Sequence, residues 1–282
     1  MADAIQTLPN SKNDLIISLV QKELIERAMF APFCRDLSGF AGKGTQSIKV
    51  PKLSSFSVVD RAFGAAGDAT ALTDATDTIS LDFNAYIAWI EDHRDVYQST
   101  IEYRMEASSR AARAHAKYVD QQIITVLEAV AALSVNGAAP ADITQADILD
   151  MREQIIASNG DLSQAVLAVS TDQEKVMLQI NDFVRADAYG SSNLPNGVIG
   201  RVYGMPVIVS NLIKAQQAFV FERDGLGLAF QEGVQMSEQD ANEYGAMSKR
   251  VAVDQVFGVG GLELGEQGAS GTKSPLVAKL TD

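Results

Sequence analysis

The chain has 282 residues, 46% of them hydrophobic, and a formal net charge of −13, which is enough to bury one or two sizeable cores. The acidic excess excludes a surface built to coat nucleic acid, which needs clustered Lys and Arg, while leaving room for a local basic patch. A single cysteine, Cys34, excludes an internal disulfide, and no apolar run is long enough for a membrane-spanning helix.

Residues 1–10 read as a lead-in without the basic and apolar regions of a signal peptide, so a soluble protein made in a cytoplasm is expected. From Asn13 or Asp14 to Met29, Leu15, Leu19, Val20, Leu24 and Ile25 mark an amphipathic helix, ended by Ala31-Pro32-Phe33. Cys34 is expected as a small buried side chain.

Residues 46–59 read as extended. In 79–90, Ile79, Leu81, Phe83, Ala85, Ile87 and Trp89 alternate onto one face. The small, polar stretch between them predicts a long hairpin, an arm of about 40 Å at about 3.3 Å per residue. Two strands alone are marginal in water, so this arm needs a surface to lie on. Its tip and return carry Asp68, Asp74, Asp77 and Asp82, with no Lys or Arg from 62 to 90. Those carboxylates form either an ordinary solvated loop or a contact with basic groups on a neighbouring subunit.

The longest element predicted is a helix from Ser99 to Leu133. Ser99 and Glu102 form a capping box, and Ile101, Met105, Ala112, Ala116, Val119, Ile123, Val126, Leu127 and Val130 recur at helical spacing. Such a helix spans about 52 Å, against a diameter of about 50 Å for a compact globule of this length. A flattened or elongated body along one spine is therefore expected. The spine's positive charges, Arg104, Arg110, Arg113 and Lys117, bunch together although its net charge is zero.

Thr144 and Asp147 start a further helix that stops at Asn159-Gly160. Ala165 to Val169 form a short buried strand, followed by a second capping box, Thr171 to Glu174, and a helix to about Ile180. Residues 181–197 read as an irregular loop. Residues 198–213 form a strand pair turning around Gly204-Met205-Pro206, short strands follow near 218–221, 226–230 and Val234, and 250–264 is a returning strand. The tail from Gly265 to Asp282 reads as poorly ordered. Strands and helices mix without regular βαβ alternation, so the fold class is α+β.

No chemistry stands out. His93 and His115 belong to no metal-ligand pattern. The sequence lacks a nucleophile elbow and a phosphate-binding loop; Gly258-Val259-Gly260-Gly261 follows a strand but opens no helix. Glu222, Asp224, Glu232, Glu238, Asp240 and Glu243 read as a solvated acidic face. No catalytic, cofactor-binding or metal site is assigned.

This order of elements resembles the major capsid proteins of tailed bacteriophages, the Hong Kong 97-type shell fold. The resemblance is carried by the hairpin, the spine, the strand and short helix of AVLAVSTDQEKVMLQI, and the Gly204, Pro206, Val207 and Ser210 segment. It implies an N-terminal arm (1–45), an extended loop (46–90), a peripheral domain (91–140 with 246–264), an axial domain (141–245) and a tail (265–282). It also implies a structural subunit, not an enzyme, found in the virion and forming hexamers and pentamers around double-stranded DNA without sequence-specific contact. Partners implied are the chain itself, a separate scaffolding protein or none, and a portal; no cofactor and no membrane are implied. Lys43, Lys49 and Lys52 lie near the hairpin base, so the subunit crosslinking of some members is not carried over. An encapsulin-like compartment and a soluble enzyme with an unrecognised site are the alternatives.

Overall fold

The computed structural model describes residues 28–53, 60, 63, 74–92, 102–130, 133–136, 142–179, 184–185, 198–241, 243–244, 248–267, 272–274 and 276–281. Most of the expected N-terminal helix, the Ser99 cap, His93 and Asp68 lie outside these residues.

Two mixed sheets organise the chain, which bears out an α+β fold. The first is built on β13 (Lys249–Gly261), the returning strand. Its one edge pairs with β4 (Phe83–Glu91), from Phe257 opposite Phe83 to Lys249 opposite Glu91. The other edge is shared end to end by β11 (Leu226–Phe230) and β12 (Gln235–Asp240), with β1 (Arg35–Asp36) parallel to β11.

The spine helix α1 (Glu102–Ala129) lies on this sheet. Ala112 packs with Val253, Trp89 and Met236, and the Tyr118 ring meets Phe257 edge-on at 5.9 Å. The described helix has 28 residues, about 42 Å, and ends before the expected Leu133. That residue begins β5 (Leu133–Asn136), a strand of the second sheet. Glu128 holds the C-terminal end: its side chain pairs with Lys214 at 2.7 Å, and its carbonyl accepts from Lys279 at 3.1 Å. Cations suit the negative end of a helix.

The second sheet runs β5, β16 (Val277–Thr281), β10 (Ala218–Glu222), β6 (Ala165–Ser170), β9 (Met205–Ser210), β8 (Val198–Val202) and β7 (Val184–Arg185), while β14 (Gly265–Gln267) and β15 (Thr272–Ser274) pair with each other. Both faces of its centre are covered, which is why AVLAV and AFVF are apolar without alternation. Val166, Ala168, Ile208, Phe219, Phe221 and Val277 face the core shared with Val119, Ile123 and Leu127 of the spine. Leu167, Val169, Val207, Val220 and Ala278 face the layer of α2 (Gln145–Ala157) and α3 (Thr171–Met177).

Four sequence expectations are corrected. The tail is not all loose: Val277 and Leu280 are buried in β16, whose short apolar run was masked by its Gly-, Ser- and Lys-containing surroundings. The Thr144 capping box forms as expected, but α3 is preceded by Ser170 without a side-chain cap, and buried Gln173 instead accepts the Ile143 N–H. The β8–β9 turn falls on Tyr203-Gly204, both at positive φ, one residue before the expected place. Finally, the alternating stretch 79–90 is split at Leu81-Asp82, as follows.

Candidate assembly surface

The arm is formed by β2 (Ser47–Leu53) and β3 (Asp74–Ser80), paired from Ser47 opposite Ser80 to Leu53 opposite Asp74. Its return strand is therefore β3 alone; β4 belongs to the first sheet. One face does run through the whole stretch, but it serves different cores. Ile79 and Leu81 pack with Ile48, Val50, Leu37 and Leu262, whereas Phe83 and Ala85 pack on the spine side with Phe257.

The glycines of 258–261 explain how the arm base reaches the sheet. A Cβ on Gly258 would lie 2.4 Å from the Ser80 carbonyl oxygen, and one on Gly260 would lie 2.7 Å from Ile79. Bare backbone at these two positions lets β3 cross β13 in direct contact.

The acidic residues expected at a subunit contact are not equivalent. Asp77 is engaged within its own subunit. Its Oδ1 is 2.6 Å from Lys52 Nζ, and its Oδ2 accepts the Glu263 N–H at 2.9 Å. Lys52 also reaches Glu263 Oε2 at 2.8 Å, and these two hydrogen bonds hold its ammonium above the usual lysine range. Asp77 thus has no basic neighbour in sequence but meets Lys52 across the arm and the Glu263 backbone just beyond β13. Asp82 is exposed between β3 and β4. Asp74 begins β3, and Asp68 lies outside the described residues.

On the spine, Arg110 pairs with Glu106 one turn earlier at 2.6 Å. Arg113 and Lys117 are exposed and make no ion pair among the described residues. Arg104 is in the helix. Among the described residues, the expected basic stretch thus keeps two cations without an ion pair, and no acid of the arm pairs with it.

Three carboxylates among the described residues are buried against expectation, Glu91, Asp120 and Glu222, and the last two are held by backbone from other elements. Asp120, on the inner side of the spine, accepts from both Met29 and Phe30 backbone N–H groups. Glu222, read as part of a solvated face, is 5% exposed and accepts the Asp161 N–H at 3.0 Å; burial raises its pKa. Neither has a sequence signal, since each partner comes from another element.

The spine histidine, His115, is buried, and burial lowers its pKa. Cys34 is 3% exposed beside Phe30, and burial pushes its thiol up to about 12, which makes it a packing residue. Among the described residues no cluster of His, Cys, Asp or Glu is arranged to hold a metal ion, and no helix is long and apolar enough to cross a membrane.

Spine, returning strand, glycine-seated arm and axial-type sheet together define a structural shell subunit of the kind built in many copies. The chain belongs to the phage capsid protein family, whose model matches residues 97–264. It is accordingly a structural component of the virion and not an enzyme.

The fold is similar to that of a protein of Mycobacterium phage Che8 at 20% identity, covering 90% of this chain and 91% of that one, with a TM-score of 0.66. It is similar to a chain of the bacteriophage PhiM1 mature capsid at 16% identity, covering 90% and 87%, with a TM-score of 0.62. A chain of the virus-like particle from Pyrococcus furiosus matches at 10% identity, covering 96% and 99%, with a TM-score of 0.60. No curated protein matches by sequence.

Proposed function

We propose that copies of this chain close into the icosahedral head of a tailed bacteriophage, as hexamers and pentamers around double-stranded DNA. The single observation that carries this reading is the arm. Among the described residues its anchor on its own subunit is at the base, through Ile48, Val50, Ile79 and Lys52, and two strands alone bury too little surface to stand in water. A neighbouring copy supplies the missing surface. In this reading 1–45 is the N-terminal arm and 46–90 the extended-loop segment, of which 46–80 forms the arm and β4 joins the first sheet. The peripheral domain comprises 91–140 with 246–264, and the axial domain 141–245 together with β16.

Asp68, Asp74 and Asp82 then face Arg113 and Lys117, with Arg104, on the adjacent copy. Asp77 and Arg110 spend their charge inside the subunit. Exposed ion pairs contribute about 0–1 kcal/mol each, so this contact sets register, and repetition around the shell gives it weight. With a net charge of −13, the chain holds DNA by enclosure and not by sequence-specific contact. A separate scaffolding protein and a portal complete the head.

The likeness to the Pyrococcus particle favours one second reading, a protein compartment with the same fold. Sedimentation of the purified chain, followed by nuclease treatment and analysis of the particle contents, tests both. Particles with protected double-stranded DNA support the phage head, and particles holding protein cargo support the compartment. A small oligomer at every concentration contradicts both.

A further inference from the structure

Lys52 sits near the outer end of the described arm strands and touches the body there. In the arm's register Ile48 is opposite Ile79, Val50 opposite Asp77 and Lys52 opposite Ala75, so all six share one face. Moving outward along that face, the contact changes character. Ile48, Val50 and Ile79 are buried on Leu37, Ala229 and Leu262. One step further stand Lys52 and Asp77, each with a side chain only 12% exposed, bound to Glu263 just beyond β13. The two strands end just past them, at Leu53 and Asp74.

We propose that Lys52, Asp77 and Glu263 form a clamp that fixes the direction in which the arm leaves the subunit, so that it is aimed at a second copy before the two meet. The inference rests on the shell reading. Apolar contact is non-directional and resists separation more than pivoting. Charge-assisted hydrogen bonds are short and directional. Here Asp77 uses both oxygens, one on the Lys52 ammonium and one on the Glu263 backbone N–H. The second bond ties the arm to main chain, which cannot swing as a surface side chain does. Lys49, on the opposite face of β2, is exposed and makes no such bond among the described residues. Position 52 therefore differs from the other lysines of the arm base by its placement, not by composition. An arm already aimed loses less freedom on docking, and this gain recurs at every contact of a closed assembly.

The test compares wild type with Lys52→Met, which keeps the apolar stem, with Lys52→Arg, which keeps the charge, and with Glu263→Gln at the half-exposed position. Assembly is read by sedimentation, the clamp by hydrogen exchange of residues 47–53 and 74–80 in the unassembled subunit, and stability by thermal unfolding. Lys52→Met is expected to melt within about 5 °C of wild type. Its arm strands should exchange faster, and its critical concentration for assembly should rise about ten-fold. Lys52→Arg should restore both, and Glu263→Gln should fall between. If Lys52→Met fails to fold, Glu263→Gln carries the comparison. Wild-type assembly by a folded variant whose arm exchange is faster would overturn the clamp. So would unchanged exchange, or an assembly loss that follows melting temperature alone. A wild-type chain that never assembles would overturn the shell reading and the clamp's purpose with it, and that failure shows without any variant.

Discussion

Asp120 and Phe30 lie 90 positions apart, yet the Asp120 carboxylate takes the Phe30 N–H on one oxygen at 3.1 Å and the Met29 N–H on the other at 3.0 Å. This pins the segment entering the body from the N-terminus to the middle of the spine. The carboxylate is 4% exposed, and burial raises its pKa from 3.8 to about 6 against the pull of the two N–H groups.

The sign of its pH effect follows. Between about pH 3.8 and 6 the folded state holds a proton that the unfolded state has released, so stability falls as pH rises through that window. The difference is on the order of 3 kcal/mol. Asp120→Asn should flatten the pH dependence of thermal unfolding; at pH 7 the gain from removing the buried charge is offset by about 1–3 kcal/mol, because the amide oxygen can accept only one of the two N–H groups. Asp120→Leu leaves two buried N–H groups unpaired, each worth about 1–3 kcal/mol, and should be the less stable variant at pH 7. An unaltered pH profile in Asp120→Asn would count against this account.

Ile123 has no exposed surface and lies where the spine meets both sheets. Ile123→Asp buries an unpaired carboxylate at a cost of several kcal/mol. Insoluble or unfolded protein is expected. Recovery of soluble subunits with cooperative melting would show that this face is not core.

Gly258 tests the seat of the arm. Gly258→Ala forces β3 away from β13, and overpacking of this kind costs about 1–3 kcal/mol. Hydrogen exchange should quicken in 74–80 while the second sheet stays protected. Equal protection in both sheets would mean that β3 does not depend on that close approach.

Much of this was legible from local pattern. The spine, the returning strand and the Thr144 cap were found because helical period, strand composition and a capping box act within a few residues. The split of 79–90 was hidden because Ile79 and Trp89 keep one parity while packing into different cores. Lys52 looked like one lysine among three at the hairpin base; its partner Glu263 is 211 positions away, beyond any local signal. Asp120 and Glu222 were unreadable for the same reason. The short strand at Val277 was lost because the surrounding composition outweighed a strand of five residues.

Arg113 and Lys117, exposed on the spine and without an ion pair among the described residues, carry the intersubunit prediction. Arg113→Glu with Lys117→Glu changes two exposed side chains, so the subunit should melt within about 5 °C of wild type. Assembly should fail at low salt, and Asp74→Lys with Asp82→Lys should partly restore it. Normal shells from the spine double mutant, at low and moderate ionic strength, would remove the electrostatic register and leave the arm's acids as solvated.

The central claim is that the arm of one copy is completed by the surface of another. Electron cryomicroscopy of particles formed by the purified chain tests it most directly. The account predicts closed icosahedral shells in which the residues between Leu53 and Asp74 lie on the spine side of an adjacent copy, with Lys52, Asp77 and Glu263 still joined within each subunit. Shells in which that segment contacts only its own subunit, or a protein that stays a small oligomer at every concentration, would contradict it.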